Sequence, residues 1–232
     1  MIKYKIVIFY VFYLKELRNM VIYKNRWKRL GGKMLIDEYN DDIYHDIIKS
    51  MVAALEAKDL YTSGHSTRVA EMAYSLGEVL GMTREELRLM HIAGDLHDIG
   101  KIGVPDNVLN KPDKLADQEW ELMKKHCDIG YNILSKANTL KNISEIVLYH
   151  HERWDGKGYP VGLKEEEIPF ASRILAVCDS IDAMKSDRPY RKSISDEICK
   201  NEISKNKGIM YDSQVAECML ENWEEIVSKL YL

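Results

Sequence analysis

The sequence predicts an all-α fold, a single multi-helix bundle, on three observations. Apolar residues recur at three- and four-residue spacing from about residue 43 onward, no stretch alternates as a half-buried strand would, and helix-opening signatures separated by short polar breaks punctuate the chain. At 232 residues, 46% hydrophobic and 30% charged, the chain is long enough to bury one sizeable core. It shows no internal repeat and no second domain. The expected organisation is an N-terminal extension over 1–33 and one domain over 34–232, with its core at about 43–220.

Taken in order, Ile43, Ile47, Ile48, Met51, Val52 and Leu55 share one face of a helix over roughly 40–58, which residues 59–64 break. A second helix spans about 65–80 and stops at Gly81. Thr83-Arg84-Glu85-Glu86 is a capping box opening the third, which carries His97-Asp98. Pro105 and Pro112 bracket a loop containing Lys111 and Lys114. Asp117 starts a helix through Trp120 and Met123 to His126, and Asp128 caps the next, through Leu134. Asn142-Ile143-Ser144-Glu145 reads as another capping signature, leading into 146–151. Gly156, Gly158 and Pro160 then enforce a loop of nearly twenty residues, long enough to carry function. The 170–184 helix is the most apolar, and 195–205 and 212–230 close the bundle as amphipathic helices.

Charge is unevenly spread. Residues 1–33 hold nine Lys/Arg against one acid, a net +8, which leaves −12 on 34–232 out of the chain's total of −4. An acidic body argues against binding long nucleic acid, so a small anionic ligand would need metal ions and a few placed cations to supply positive field. Cys127, Cys178, Cys199 and Cys218 form no C-x-x-C pair, the pattern of free thiols in a reducing, cytoplasmic setting. Cys127 and Cys178 read as small packing residues.

The apolar run over 6–14 has nine residues between lysines. A bilayer takes about 20, so no transmembrane segment is expected, and the small-residue cleavage site of a secretory signal is missing. Its basic flanks would suit an interfacial anchor. A different origin is favoured: Gly31-Gly32-Lys33-Met34 is what a purine-rich ribosome-binding site and its ATG give when translated in frame. Met34 is accordingly expected as the native start, with 1–33 an upstream extension.

His97-Asp98, followed by Ile99-Gly100-Lys101, puts an imidazole and a carboxylate at the end of an apolar helix, where burying either costs free energy unless it is paired or ligated. Such donors suit Zn, Fe, Mn, Ni or Co. Five of the seven histidines (His65, His97, His126, His150 and His151) fall at or near helix ends or adjoining loops, which a bundle can bring together. Asp179 follows on the buried 170–184 helix. His45 and His91 read as ordinary surface or core histidines. Neighbours on a helix diverge by about 100°, so His150 and His151 can serve one or two closely spaced ions.

His65, His97-Asp98 and Asp179 follow the ligand order of the HD metal-dependent phosphohydrolases. The run His150-His151-Glu152-Arg153-Trp154-Asp155-Gly156-Lys157-Gly158-Tyr159-Pro160 resembles their HD-GYP subfamily, as do Asp179-Ser180-Ile181-Asp182 and Ser186-Asp187-Arg188-Pro189-Tyr190-Arg191. The resemblance runs from about 43 to 220. It implies an HD-type bundle whose central site holds two divalent ions, Fe or Mn ahead of Zn, Co or Ni, and hydrolyses cyclic di-GMP to pGpG and/or GMP. Carried over by position, the metal ligands are His65, His97, Asp98, His126, His150, His151 and Asp179, with Asp98 bridging. Members with a third ion use a glutamate four residues before the first histidine; Tyr61 stands there, so two ions are expected.

Within that frame Lys101, one turn beyond Asp98, is expected to bind phosphate and to protonate the leaving 3′ oxygen. Asp182 shares a face with Asp179 and is expected to orient either the attacking water or a ligand's second N–H. Arg188 and Arg191 offer guanidinium forks to phosphate oxygens. Tyr159 offers a face to guanine, a stack of ~1–3 kcal/mol per base. Two other readings compete. A silent cyclic dinucleotide receptor would be expected to have lost a ligand or the lysine, and none is missing here. A phosphodiesterase for a mixed cyclic GMP-AMP dinucleotide is not separable by sequence. Residues 37–58 are read either as the stub of a signalling helix joined to a sensory partner or as a homodimer contact.

Overall fold

The computed structural model describes residues 33–59, 64–187 and 192–231, the first ten of these as backbone only. The expectations attached to the 1–33 extension, to Tyr61 and to Arg188 and Arg191 therefore fall outside the described residues, Lys33 apart. The chain divides into two units, Met1–Ile47 and Ile48–Leu232. Within the first, the described residues belong to helix α1 (Lys33–Glu56), and every other described element lies in the second.

All named elements among the described residues are helical. After α1 come α2 (His65–Val79), α3 (Arg84–Leu96), α4 (Asp106–Leu109), α5 (Asp117–Lys124), α6 (His126–Leu134), α7 (Lys141–Leu148), α8 (Phe170–Lys185), α9 (Asp196–Asn206), α10 (Ser213–Glu221) and α11 (Trp223–Ile226), with short 3-10 turns between some of them. The Thr83 capping box forms: its hydroxyl accepts from Glu86 N–H at 3.3 Å, and its own N–H donates to Glu86 Oε2 at 2.7 Å. Val69, Met72 and Leu76 of α2, Met90 and Leu96 of α3, Ile143 and Val147 of α7, and Ile174, Val177 and Ile181 of α8 meet in one buried core. Each such side chain contributes about 1.5–3 kcal/mol by leaving water. A smaller cluster, Val108 and Leu109 with Leu115, Leu122 and Met123 against it, sits apart at α4 and α5.

Four boundaries differ from the sequence expectation. His126 opens α6; it does not close the helix before it. Asn142 lies inside α7, which begins at Lys141, and Ser144 donates its hydroxyl back to Lys141 O at 2.6 Å. The loop between Pro105 and Pro112 contains α4. The expected 212–230 helix breaks at Asn222, whose side-chain amide donates to Cys218 O at 2.8 Å and satisfies a helix-end carbonyl there. No helix among the described residues is long and apolar enough to cross a membrane.

A close backbone approach at Gly100 positions the site. The 3-10 turn Ile99–Gly103 runs against α6 so closely that a Cβ on Gly100 would lie 1.8 Å from His126 O and 2.5 Å from Gly130 N. Both neighbours are backbone and cannot turn aside. Gly100→Ala must push α6 away from the turn, and is expected to destabilise the domain by about 2–3 kcal/mol, the upper part of the range for overpacking. Urea unfolding of the variant measures this; an unchanged midpoint would contradict the packing described.

Candidate metal centre

Three of the histidines sit where a helix ends or begins, and each is locked the same way. His97 follows α3, His126 opens α6 and His150 follows α7. Their Nδ1 atoms lie 2.7, 2.8 and 2.6 Å from the carbonyls of Gly94, Met123 and Val147, three residues back. A carbonyl only accepts, so each Nδ1 carries the proton and each Nε2 presents its lone pair. His65, the first residue of α2, has its Nδ1 2.7 Å from Asp182 Oδ2. Three imidazoles are thereby fixed with the lone pair on Nε2, the arrangement metal-ligating histidines adopt, and His65 turns its own Nε2 to within 3.2 Å of His97 Nε2.

Three of the four rings face Asp98. Its Oδ2 lies 3.6 Å from His65 Nε2 and 3.4 Å from His97 Nε2, while its Oδ1 lies 3.6 Å from His126 Nε2. Asp179 Oδ1 stands 3.4 Å from His65 Nε2 and 3.9 Å from His97 Nε2, and its Oδ2 is 4.0 Å from His151 Nδ1. Within each of three groups (His65, His97, Asp98; His97, His150, Asp179; His126, Cys127, His150, His151) the donor atoms all lie within 4.8 Å of one another. All seven sequence-assigned ligands are thus brought together. His150 Nε2 is fully buried with no hydrogen-bond partner. A buried acceptor left unpaired is costly, and a cation satisfies it. His45 is exposed, and His91 pairs with Asp95 at 3.4 Å away from these groups.

Asp182 is buried and saturated. Besides His65 it accepts from Arg68 Nε at 2.6 Å and Nη2 at 3.1 Å, from Ser186 Oγ at 3.1 Å, and from the Tyr231 hydroxyl. Its contact with the sequence-assigned ligand set is to the second ring nitrogen of His65. Lys101 reaches Asp98 Oδ2 at 2.6 Å and Asp59 Oδ2 at 3.4 Å. Sequence reasoning missed Asp59, Arg68 and Tyr231. Only Arg68 left a signal, at i+3 from His65 on the same helix.

Burial would raise the Asp98 carboxyl, but Lys101 and the surrounding histidines hold it well below the usual carboxylate range. Burial would lower Lys101, but Asp98 and Asp59 keep its ammonium above its ordinary value. His65 is also pulled down by burial, and its hydrogen bonds to Asp182 and Asp98 outweigh that and raise it to about 9. Burial dominates elsewhere: it lowers His126, takes His150 to about 3 with help from His97 and His126, and takes His151 well below its usual range. Those three imidazoles are neutral and ready to ligate. Burial also pushes up the Cys127 thiol, 3.6 Å from His126 Nε2, which keeps its proton and suits packing.

The HD domain family matches residues 49–215, more than half of the chain. The chain belongs to the HD domain family. It is 40% identical over 224 residues to a cyclic di-GMP phosphodiesterase of Thermotoga maritima, covering 90% of this chain and 61% of that protein. It is 36% identical to a 3′3′-cGAMP-specific phosphodiesterase 2 of Vibrio cholerae, covering 79% of this chain and 35% of that protein. Against these relatives, then, it spans between about a third and three-fifths of their length. A solved HDG"Y"P protein from Bdellovibrio bacteriovorus shares the fold with a TM-score of 0.60 at 18% identity, over 81% of this chain and 63% of that one. HD-domain membership carries divalent-metal binding with it, and the His/Asp groups above are where this chain would hold the ions.

The HD domain's long loop is shaped by its own glutamate and glycine. Glu152 is buried, and its Oε1 accepts from Val161 N–H at 2.8 Å and Gly162 N–H at 2.9 Å. A Cβ on Gly158 would sit 2.4 Å from Arg153 N and 2.5 Å from Glu152 Cα, so only glycine lets the chain fold back there. The result places the Tyr159 ring 4.8 Å from His151 at 34°. At the donors lies a cleft of roughly 630 Å3, its lining including Lys101, Arg68, Asp59, Lys111, Lys114 and Trp120.

The shifts fix how metal-free stability depends on pH. Unfolded, His126, His150 and His151 take up protons below about 6.5, whereas folded they resist them; stability therefore falls as pH drops from about 6.5 toward 3. His65 acts oppositely: its contribution is full below 6.5 and lost as pH rises through about 9. Thermal unfolding in chelator is expected to peak near neutral pH and decline on both sides. A midpoint that climbs steadily as pH falls from 6.5 to 4.5 would contradict this.

Proposed function

We propose that this domain is a metal-dependent phosphodiesterase that hydrolyses cyclic di-GMP to pGpG and/or GMP. The carrying observation is Asp98: its two carboxylate oxygens face different histidines, Oδ2 toward His65 and His97 and Oδ1 toward His126. The names of the relatives, cyclic di-GMP phosphodiesterase and 3′3′-cGAMP-specific phosphodiesterase, support a cyclic dinucleotide as substrate. The proposed complement is two ions, iron or manganese ahead of zinc, cobalt or nickel, held by His65, His97, Asp98, His126, His150, His151 and Asp179. When bound, such ions supply Lewis acidity and positive charge to a phosphodiester whose own charge repels nucleophiles.

The chain's own groups do the rest. Asp182 holds the His65 ring by its second nitrogen, and Arg68 and Tyr231 hold Asp182. Lys101 keeps its proton beside Asp98 and is a fixed cation for a phosphate oxygen. The leaving 3′ alkoxide is a stronger base than an amine, so the same ammonium can protonate it. Arg188 and Arg191 are proposed as further phosphate contacts, and Tyr159 as part of the base pocket. The proposed domain spans 34–232 and works in the cytoplasm, with 37–58 serving a sensory partner or a second copy. The mixed cyclic GMP-AMP dinucleotide is the competing substrate, favoured by the Vibrio cholerae relatives of that name.

The test is to incubate protein loaded with Mn, Fe or Co with each dinucleotide and follow linear product. Cyclic di-GMP turnover is expected, abolished in His97→Ala/Asp98→Ala. Lys101→Met is expected to lower kcat about 10²–10³-fold, as removal of one charge-stabilising donor does. Tight binding without product under all three metals would contradict hydrolysis and leave a receptor.

A further inference from the structure

The cleft lining includes an apolar group that the chemistry above does not use. Val108, Leu109, Leu115 and Met123 make it up, with Trp120 in the same lining. The same apolar residues form the small cluster separate from the main core, which gives that lining a packed floor. Trp120 is 45% exposed, on a helix whose start is pinned by Ala116 N–H donating to Glu119 Oε2 at 2.7 Å and by Lys111 pairing with that oxygen at 2.6 Å. Its indole lies 6.1 Å from the Tyr159 ring, the planes at 81°. Tyr159 itself is engaged: tilted against His151, with Lys124 Nζ 5.9 Å from its centroid. The indole therefore offers the cleft an aromatic surface one ring removed from the ligand histidines, where a ribose would carry its base away from a phosphate held at Asp98 and Lys101.

We propose that Trp120 is a purine platform, stacking on one base of the cyclic dinucleotide while the metal centre and Lys101 hold a phosphodiester. This rests on the substrate class proposed above. A planar, weakly hydrated base gains from an indole held on a rigid apolar floor, and the stack is indifferent to which purine it meets. Trp120 accordingly sets affinity for purine dinucleotides as a class.

Binding of cyclic di-GMP to the metal-loaded full chain, read by stopped flow before turnover and at equilibrium with its non-hydrolysable phosphorothioate analogue, tests it, comparing wild type with Trp120→Ala and Trp120→Phe at matched metal content. Trp120→Ala is expected to raise Kd tenfold or more, equivalent to ~1.4 kcal/mol of stacking, with KM rising in parallel, and Trp120→Phe to recover most of the loss. A Kd for Trp120→Ala within twofold of wild type overturns the platform, as does Trp120→Phe binding no better than Trp120→Ala. Wild type that binds but does not hydrolyse sinks the hydrolytic reading alone, since the Kd comparison still decides the platform. Wild type that binds no cyclic di-GMP overturns both.

Discussion

The carboxylate of Asp98 is the constraint around which the domain is built. It is buried, it carries full charge, and its two oxygens are offered to different histidines. A buried carboxylate with no partner would protonate or unfold its surroundings. Here Lys101 at 2.6 Å and the imidazoles of His97, His65 and His126 hold it ionised. Cations drawn to that charge meet Nε2 lone pairs already fixed in direction.

The helices matter for where they stop. His97, His126 and His150 each use the carbonyl three residues back to fix their tautomer, which works only at a helix end, where such carbonyls are free. Gly100 lets the turn bearing Asp98 and Lys101 press onto the first turn of α6, so these groups and His126 share one small volume. Helix α8 supplies Asp179 and Asp182, the first facing the imidazoles and the second tethering His65 to Arg68 and Tyr231. Electrostatics then separates the histidines: His65, backed by a carboxylate, holds a proton, while His126, His150 and His151 do not.

The helical fold was legible because apolar periodicity is a local signal, and the donors were legible because histidine and aspartate on apolar helices are costly unless used. What sequence concealed was contact between distant residues. Tyr231 reaches Asp182 across 49 positions and Arg68 reaches it across 114, and no local pattern encodes either. Trp120 read as one apolar position of a short helix, and only the folded chain puts it in the lining of the cleft. Asn142 has the composition of a helix cap, yet the helix starts one residue earlier, and the break at Asn222 rests on a side-chain bond to Cys218 that periodicity does not register.

Anomalous diffraction from crystals of the iron- or manganese-loaded protein tests the account most directly. It should show two peaks per chain about 3.5–4 Å apart, one beside Asp98 Oδ2 with His65 and His97, the other beside Oδ1 with His126. A single peak, or two peaks with Asp98 ligating only one, would contradict the shared carboxylate.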